Sequence, residues 1–469
     1  MKQPPLKNVQ FTVVGDGELA GAAALEISIQ NVTTNLVTHP GSRASSAAAH
    51  CDVKIIEGAP ATVHVLTQAD LTRATHLVLF PSSLSEMLVL LEAASEVYQS
   101  NPDGTLLNVF ACLPNRRATL AVRNGAVTFS KLPRLYVQCF FLPEDIASDL
   151  LFKEFGPDTG NQEIPRYILF GSGIIPETLA LRLARLGQDV SGSNVKVDWI
   201  VPESEVNRIP ATYPYLNTDR TQLYSHAPGS DWTEYVDLQQ SSNWVLISCL
   251  QPESLEAALG ITEHRLLLKI SRIYNLSCDA ALTGGFQRRS IERLINGTNV
   301  RPLGEFSALF SIARFLELGR FGLAKAVHLE YCRAQQEKGE LPQDNSSLRR
   351  WDEIGEDLRH ANVEQADHML FKLRCLGYRI EKTAGTAEPP PFSFTAQEIE
   401  SLARLEHARW FAERESVGWK YGKVRINELK QSPAMVPYDE LSEPIKEKDR
   451  QAVRIIPGVL RRLGLSLSR

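Results

Sequence analysis

Apolar positions along the chain fall into two regimes. Up to about residue 300 they form short β-rich runs, and from about Glu305 they recur at helical spacing. In the first regime a strand, a glycine step and a helix follow one another twice. Residues 9–14 (VQFTVV) predict a strand, Gly15-Asp16-Gly17-Glu18-Leu19-Ala20 follows at once, and Gly21 to Ile29 predicts a helix. Further strands are expected at Asn35 to Thr38, Asp52 to Glu57 and His76 to Phe80, with helices at Val63 to Ala74 and Ser85 to Tyr98. The pattern restarts at Arg166. Tyr167 to Phe170 predicts a strand, Gly171-Ser172-Gly173-Ile174-Ile175-Pro176 comes next, and a helix follows from about Glu177 to Leu186. Val195 to Val201 and Trp244 to Cys249 supply later strands, and Gly156 to Pro165 joins the two units.

A strand–GxGxxA–helix order is the arrangement of a mononucleotide-binding βαβ unit. Glycine permits the tight turn and a close approach of backbone to phosphate, and the helix N-terminus offers its amides. Gly15, Gly17 and Ala20 are the candidates in the first unit. Gly171 and Gly173 are those in the second, where Glu203, near the end of the second strand, is placed to take ribose hydroxyls. With Gly58-Ala59-Pro60 leading through Val63 to Arg73-Ala74-Thr75-His76-Leu77-Val78, the first unit resembles RCK/TrkA-type domains, the NAD- or nucleotide-binding regulators of potassium transport. His226 to Asp231 is the counterpart in the second unit. The departures are specific. Thr38-His39-Pro40 holds no acid after the first unit's second strand, Ala59 replaces the family's Asp, and Pro176 replaces the third small residue of the second loop. Two degenerate fingerprints favour a scaffolding or dimer-forming role over tight dinucleotide binding.

The helical third repeats itself. Leu323 to Tyr331 aligns with Leu402 to Trp410 at an offset of 79, and Trp351 to Glu356 aligns with Tyr438 to Glu443 at an offset of 87. The second copy is thus eight residues longer between its two helices. Lys382 to Phe392, with Glu388-Pro389-Pro390-Pro391, reads as an extended linker between the copies. In the second copy Glu406-His407-x-x-Trp410, Glu413-Arg414, Gly418-Trp419-x-Tyr421-Gly422-x-Val424-Arg425, Val436-Pro437-Tyr438-Asp439-x-Leu441 and Lys448-Asp449-Arg450 occur in order. Together they resemble the RyR (ryanodine-receptor) repeat, of bacterial type, over 394–469, and more faintly over 305–381. In the first copy Gly339-Glu340-Leu341 stands where Gly-Trp-x-Tyr is expected. In the second, Ile426 and Ser432 replace an acid and a histidine.

The resemblance implies regulation through an adenine nucleotide or a nucleotide-derived messenger of cyclic-nucleotide or ADP-ribose type, in a prokaryotic signalling or phage-defence setting. Trp419 and Tyr421 are candidates to stack on a base, and Arg414 and Arg425 to pair with phosphates. Trp410, Glu406, Tyr438 and Asp439 complete the candidate ligand set, Asp439 or Glu406 accepting from ribose or base donors. A packing reading stands beside each: Trp410 as a core residue of its helix, Asp439 as the N-cap of a helix starting near Glu440, and Trp419 with Gly418 as the pin of the inter-helix loop.

Composition adds little and excludes more. The net charge of −5 divides into +4 from Glu400 onward (14 Lys+Arg against 10 Asp+Glu) and −9 elsewhere, a balance that suits an anionic ligand but indicates no nucleic acid. The seven scattered cysteines form no C-x-x-C, so neither a zinc site nor a disulfide framework is expected. No leader and no membrane-length apolar run is read, and a cytoplasmic location follows. G-x-S-x-G, H-E-x-x-H and the P-loop pattern are absent, so no catalytic constellation and no metal site is predicted.

The expectation is therefore an α/β chain: two tandem Rossmann-like (TrkA-N/RCK-like) domains over 1–155 and 165–302, then a mostly α-helical tandem RyR repeat module, with a degenerate copy over 305–381 and a full copy over 394–469. The expected function is a nucleotide-sensing regulator, with NAD or adenine nucleotide as the implied cofactor and a membrane channel or effector protein, or a second copy in a homodimer, as partner. Two alternatives remain: an NAD(H)- or ATP-binding regulator of potassium transport, and an NAD(P)-dependent oxidoreductase.

Overall fold

Six apolar runs in the first half form one sheet: β1 (Gln10–Val14), β2 (Thr33–Thr38), β3 (Val53–Glu57), β4 (His76–Leu79), β5 (Leu107–Cys112) and β6 (Leu135–Phe140). All neighbours pair in parallel, in the order β3-β2-β1-β4-β5-β6. A parallel sheet covered on both faces demands continuous apolar strands. β1 and β4 are buried along nearly their whole length, whereas edge strand β3 exposes Lys54 and Glu57. One face carries the main core, in which Val14, Val37, Leu77 and Val109 pack with Leu66, Met87 and Leu90 of the covering helices.

The computed structural model describes residues 9–49, 52–129, 131–157, 164–189, 191–213, 216, 221–225, 232–234, 236, 243–250, 255, 270–276, 299–383, 391–416, 418–426 and 428–469. Of the features singled out in the sequence, the His226 to Asp231 segment, the centre of the 156–165 junction and most of the 382–392 linker lie outside these residues, as does Val417, which directly precedes the Gly-Trp-x-Tyr-Gly segment.

A second parallel sheet follows, with β7 (Arg166–Phe170), β8 (Val197–Val201), β9 (Thr221–Ser225), β10 (Trp244–Ser248), β11 (Ile270–Leu276) and β12 (Asn299–Leu303) in the order β12-β11-β10-β7-β8-β9. Numbered from its own first strand, each sheet runs 3-2-1-4-5-6, the doubly wound Rossmann order. The sequence located the first strands of both sheets. β5, β6, β9, β11 and β12 are additions from the structure. The helix expected over Val63 to Ala74 is broken: Val63–Gln68 is α-helical, Asp70 turns left-handed at φ 53°, and Leu71–Arg73 continues as a 3-10 turn. Aspartate tolerates that conformation better than most residues, and periodicity does not reveal it.

By packing, the chain divides into one unit of 1–145 with 306–364 and another of 146–305 with 365–469. In the first unit, short helices Phe306–Leu309 and Ile312–Phe315 cover the sheet face opposite the main core. Phe310 meets Phe80 edge-on, and Phe315 meets Phe11 and Phe110. His76 lies in this aromatic layer, stacked on Phe11 at 4.6 Å; burial lowers its pKa to about 4 and leaves it neutral.

The second unit ends in helices Ala396–Ser416, Glu443–Arg454 and Ile456–Arg462. Thr395 and Glu398 form a reciprocal capping box at the head of the first. The Glu398 amide donates to the Thr395 hydroxyl (3.2 Å) and the Thr395 amide to the Glu398 carboxylate (2.8 Å). Strand β13 (Arg379–Lys382) pairs antiparallel with the final strand, Leu465–Ser468.

Candidate functional site

The candidate site begins where helix Ala396–Ser416 ends. Gly418 adopts φ 86°, its amide donates to the Glu415 carbonyl (2.9 Å), and the Trp419 amide donates to the Arg414 carbonyl (3.0 Å). This is a Schellman closure, which turns the chain sharply and brings Trp419 back towards the helix it has just left. Strand β14 (Lys420–Tyr421) then pairs in parallel with β15 (Gln431–Ser432), and a side chain at Gly422 would come within 2.8 Å of Cβ of Gln431. Each glycine of the Gly-Trp-x-Tyr-Gly motif thus has a steric reason.

The geometry joins four of the eight candidate ligand residues. The guanidinium carbon of Arg414 lies 5.2 Å from the Trp419 ring centre and 6.0 Å from that of Trp410. Arg425 approaches Trp419 to 5.3 Å. The largely buried indole of Trp419 therefore has two cations beside it, a cation–π arrangement worth about 0.5–2 kcal/mol per contact. Tyr421, two residues on, is 57% exposed, so one aromatic is fixed and the other is open to solvent.

The other three, Tyr438, Asp439 and Glu406, lie outside this group. Tyr438 is buried, 6.0 Å from the His407 ring, with Arg404 and Lys446 over its own ring at 5.0 and 5.5 Å. Burial pushes its hydroxyl pKa up to about 12. Trp410 stacks on the same histidine at 5.7 Å, so His407 ties Tyr438 to the Trp410–Arg414–Trp419 group. Asp439 is exposed and accepts from both terminal nitrogens of Arg404 (2.8 and 2.6 Å). It does not cap a helix: Glu443–Arg454 is preceded by Ser442 at its N-cap, and Asp439 lies in a 3-10 turn.

Glu406 is not available to a ligand. It is buried, with Lys372 at 2.6 Å on one oxygen and Arg409 at 2.8 Å on the other. Burial alone would raise its pKa, but the charges of Arg409 and Lys372 outweigh that and hold it well below the usual carboxylate range. Arg404 and Lys446 are the residues that sequence reasoning missed. The signal for Arg404 was present, since it shares a helix face with Glu400 and His407.

The first copy repeats this backbone and keeps an aromatic beside its histidine, Trp351 lying 5.7 Å from the His328 ring, but Glu340 stands where the second copy has Trp419. Gly339, at the offset of 79 from Gly418, has the same φ of 86°, its amide donates to the Gln336 carbonyl, and the Glu340 amide to that of Gln335. His328 Nε2 lies 2.8 Å from the Arg349 carbonyl, as His407 Nε2 lies 2.8 Å from that of Val436, and Arg349 and Val436 are related by the second offset of 87. In the pairing of β13 with the final strand, Ile380 faces Leu467. These two residues are themselves repeat equivalents, and Arg379↔Ser468 and Glu381↔Ser466 exchange places about them.

The two glycine loops differ. In the first, Asp16 turns its carboxylate back over the end of β2: Oδ1 accepts from the Thr38 hydroxyl (2.9 Å) and the His39 amide (2.8 Å), and Oδ2 lies 2.7 Å from His39 Nδ1. A carboxylate beside Gly15 and Gly17 opposes a phosphate there, so this loop does not fit a dinucleotide. Ala20 is fully buried, as the close packing of the loop and helix requires. In the second loop a Cβ on Gly173 would have nothing within 4 Å, and Gly173 heads the helix Ile174–Ala184. Exposed Glu203 follows β8, the strand paired with β7, so it lies at the same sheet edge as Gly171. These residues fit a nucleotide phosphate and ribose, with one amide fewer because of Pro176. Among the described residues, no cluster of His, Cys, Asp or Glu is arranged to hold a metal.

Residues 394–469 match the RyR domain family. A search of curated proteins returned no match. Similar solved structures include GsuK bound to ADP (12% identity, TM-score 0.42, 66% of this chain and 70% of that one). The GsuK RCK domain (10%, 0.43, 67% and 78%) and the GsuK channel bound to NAD (10%, 0.44, 69% and 66%) are also similar. At these scores the likenesses carry no functional weight.

Proposed function

We propose that the C-terminal module is a receptor for an adenine nucleotide or nucleotide-derived messenger, and that the chain is a cytoplasmic regulator in which the Rossmann-like sheets serve mainly as scaffold. The observation that carries this is the pair of guanidiniums, Arg414 and Arg425, flanking one indole, Trp419. An aromatic platform with two bidentate cation donors suits a ligand that is planar at one end and multiply anionic at the other. Tyr421 supplies the open face for the base, and Arg414 and Arg425 take the phosphates. The matched turns and histidine anchors support reading residues 305–381 as a second, blunted copy. Glu340 there replaces Trp419, so the C-terminal module has one ligand site. The output is a changed association with an effector or channel protein, or with another copy of the chain.

Calorimetry of the full chain against a panel of mono-, di- and cyclic adenine nucleotides and ADP-ribose tests this. Binding in the micromolar range is expected, weakened at least roughly tenfold in Arg425→Glu. If nothing in the panel binds at tens of micromolar, or if Arg425→Glu binds like the parent, the proposal fails.

The open cradle at Gly173 favours a second, compatible reading, in which the second sheet takes NAD(H) or an adenine nucleotide as a regulator of potassium transport would.

A further inference from the structure

The eight extra residues of the second copy build a surface that the first copy lacks. Between the shared anchor points, the second copy runs from Trp419 to Val436 where the first runs only from Glu340 to Arg349. Of the twelve large apolar side chains exposed among the described residues, four fall in this one stretch: Tyr421 at 57%, Val424 at 68%, Ile426 at 37% and Leu429 at 63%. Lys420, Lys423, Arg425 and Lys430 are interleaved with them and also exposed, against a single acid, Glu428. The shorter segment of the first copy carries Glu340 and Asp344 against Arg349, and one exposed apolar residue, Leu341.

Exposed aliphatic side chains cost solubility, and a turn that needed only to close would not retain them. Nor does a hydrated polyanion explain them, because Val424 and Leu429 gain nothing on a phosphate backbone. Cations alternating with aliphatic and tyrosyl side chains match one environment well. At an anionic bilayer surface the headgroups take the charges, while the apolar tips enter the headgroup–acyl boundary. No helix among the described residues is long and apolar enough to cross a membrane, so any such contact is peripheral.

We propose that the surface formed by residues 420–426 and 428–430 docks the protein onto an anionic phospholipid surface. The surface shares Tyr421 and Arg425 with the nucleotide reading, so the substitutions that test it are confined to Lys420, Lys423, Val424 and Leu429, which that reading does not use.

The test is co-sedimentation of the full chain with vesicles of phosphatidylcholine alone, or containing about 30 mol % phosphatidylserine. Binding to the anionic vesicles only, reduced by added salt, is expected. Val424→Asp with Leu429→Asp, and separately Lys420→Glu with Lys423→Glu, should each weaken it at least roughly tenfold. All four side chains are exposed, so the thermal midpoint should stay unchanged; if the aspartate pair misfolds, Val424→Ala with Leu429→Ala replaces it. The proposal is overturned if anionic vesicles are not bound at low salt or if neutral vesicles bind equally well. It is also overturned if the apolar substitutions leave binding intact, which would make this surface a charge patch for a soluble acidic partner.

Discussion

Lys372 and Glu406 form an ion pair of 2.6 Å in which both side chains are withdrawn from water. The lysine lies near the end of helix Glu356–Cys375 and the glutamate in the middle of helix Ala396–Ser416, so the pair ties the tail of the first copy to the core of the second. Burial lowers the lysine's pKa, and the adjacent carboxylate only partly offsets this. Such a pair adds little net stability, yet breaking it on one side strands a charge. Lys372→Met should cost about 3 kcal/mol, and Lys372→Met with Glu406→Leu should recover much of that, since Arg409 keeps Glu413 at 3.1 Å. A double-mutant cycle by urea unfolding measures it. Additive losses would show that the two side chains act independently.

A second prediction concerns mild acid. His76 and His368 are each pushed down to about 4 by burial, and both stay neutral in the fold. Because their folded pKa values lie below the ordinary 6.5, the unfolded chain takes up protons first. The stability present above pH 6.5 is therefore lost as pH falls towards 4, by about 3 kcal/mol for each histidine. His76→Phe keeps the ring stacked on Phe11 but removes the titration, so unfolding midpoints between pH 7 and 4.5 should flatten in that variant. An unchanged slope would mean that His76 is not buried as described.

The matched turns give an internal control. Gly418 and Gly339 share a φ of 86°, so alanine at either should cost about 1–2 kcal/mol. Only Gly418→Ala displaces Trp419 from Arg414. Nucleotide affinity should therefore fall in Gly418→Ala and hold in Gly339→Ala despite similar losses in thermal midpoint. Equal effects on affinity would move the site away from Trp419.

How far the sequence carries depends on whether a feature is local. The strand–glycine–helix order is local, and so are the helix stop at Gly418 and the repeat offsets. Each was readable, and the equivalence of His328 with His407 reappears as the same contact. Glu406 is a candidate ligand group in the sequence, where only Arg409, one turn on, opposes it; the second partner that closes it off, Lys372, is 34 residues away on another helix. Asp439 stands in the sequence as a candidate ligand group or as the cap of the helix that follows, whereas in the fold it pairs with Arg404, 35 residues upstream. Ion pairs between helices depend on packing register, which no periodicity encodes. Asp16 illustrates the same limit: it is the variable residue of a glycine motif, and only the fold shows its carboxylate turned onto Thr38 and His39.

That carboxylate divides the two glycine loops into different expectations. Gly17 has φ −80°, ordinary for any residue, and a Cβ there meets nothing within 4 Å, so Gly17→Ala is sterically free. With Asp16 holding negative charge at the mouth, the loop has no phosphate to lose, and dinucleotide or ADP binding by the full chain should be unaffected. Gly173 has the same open surroundings but a φ of 104°, which a branched residue cannot adopt without strain. Gly173→Val should distort the turn that aims the amides of helix Ile174–Ala184, and any NAD or ADP affinity assigned to that sheet should disappear. Binding at Trp419 should persist, since Arg425 is untouched. Fluorescence titration of the two variants and of Arg425→Glu separates the sites. Loss of binding in Gly17→Ala would show that the first loop holds the nucleotide after all and that Asp16 does not close it.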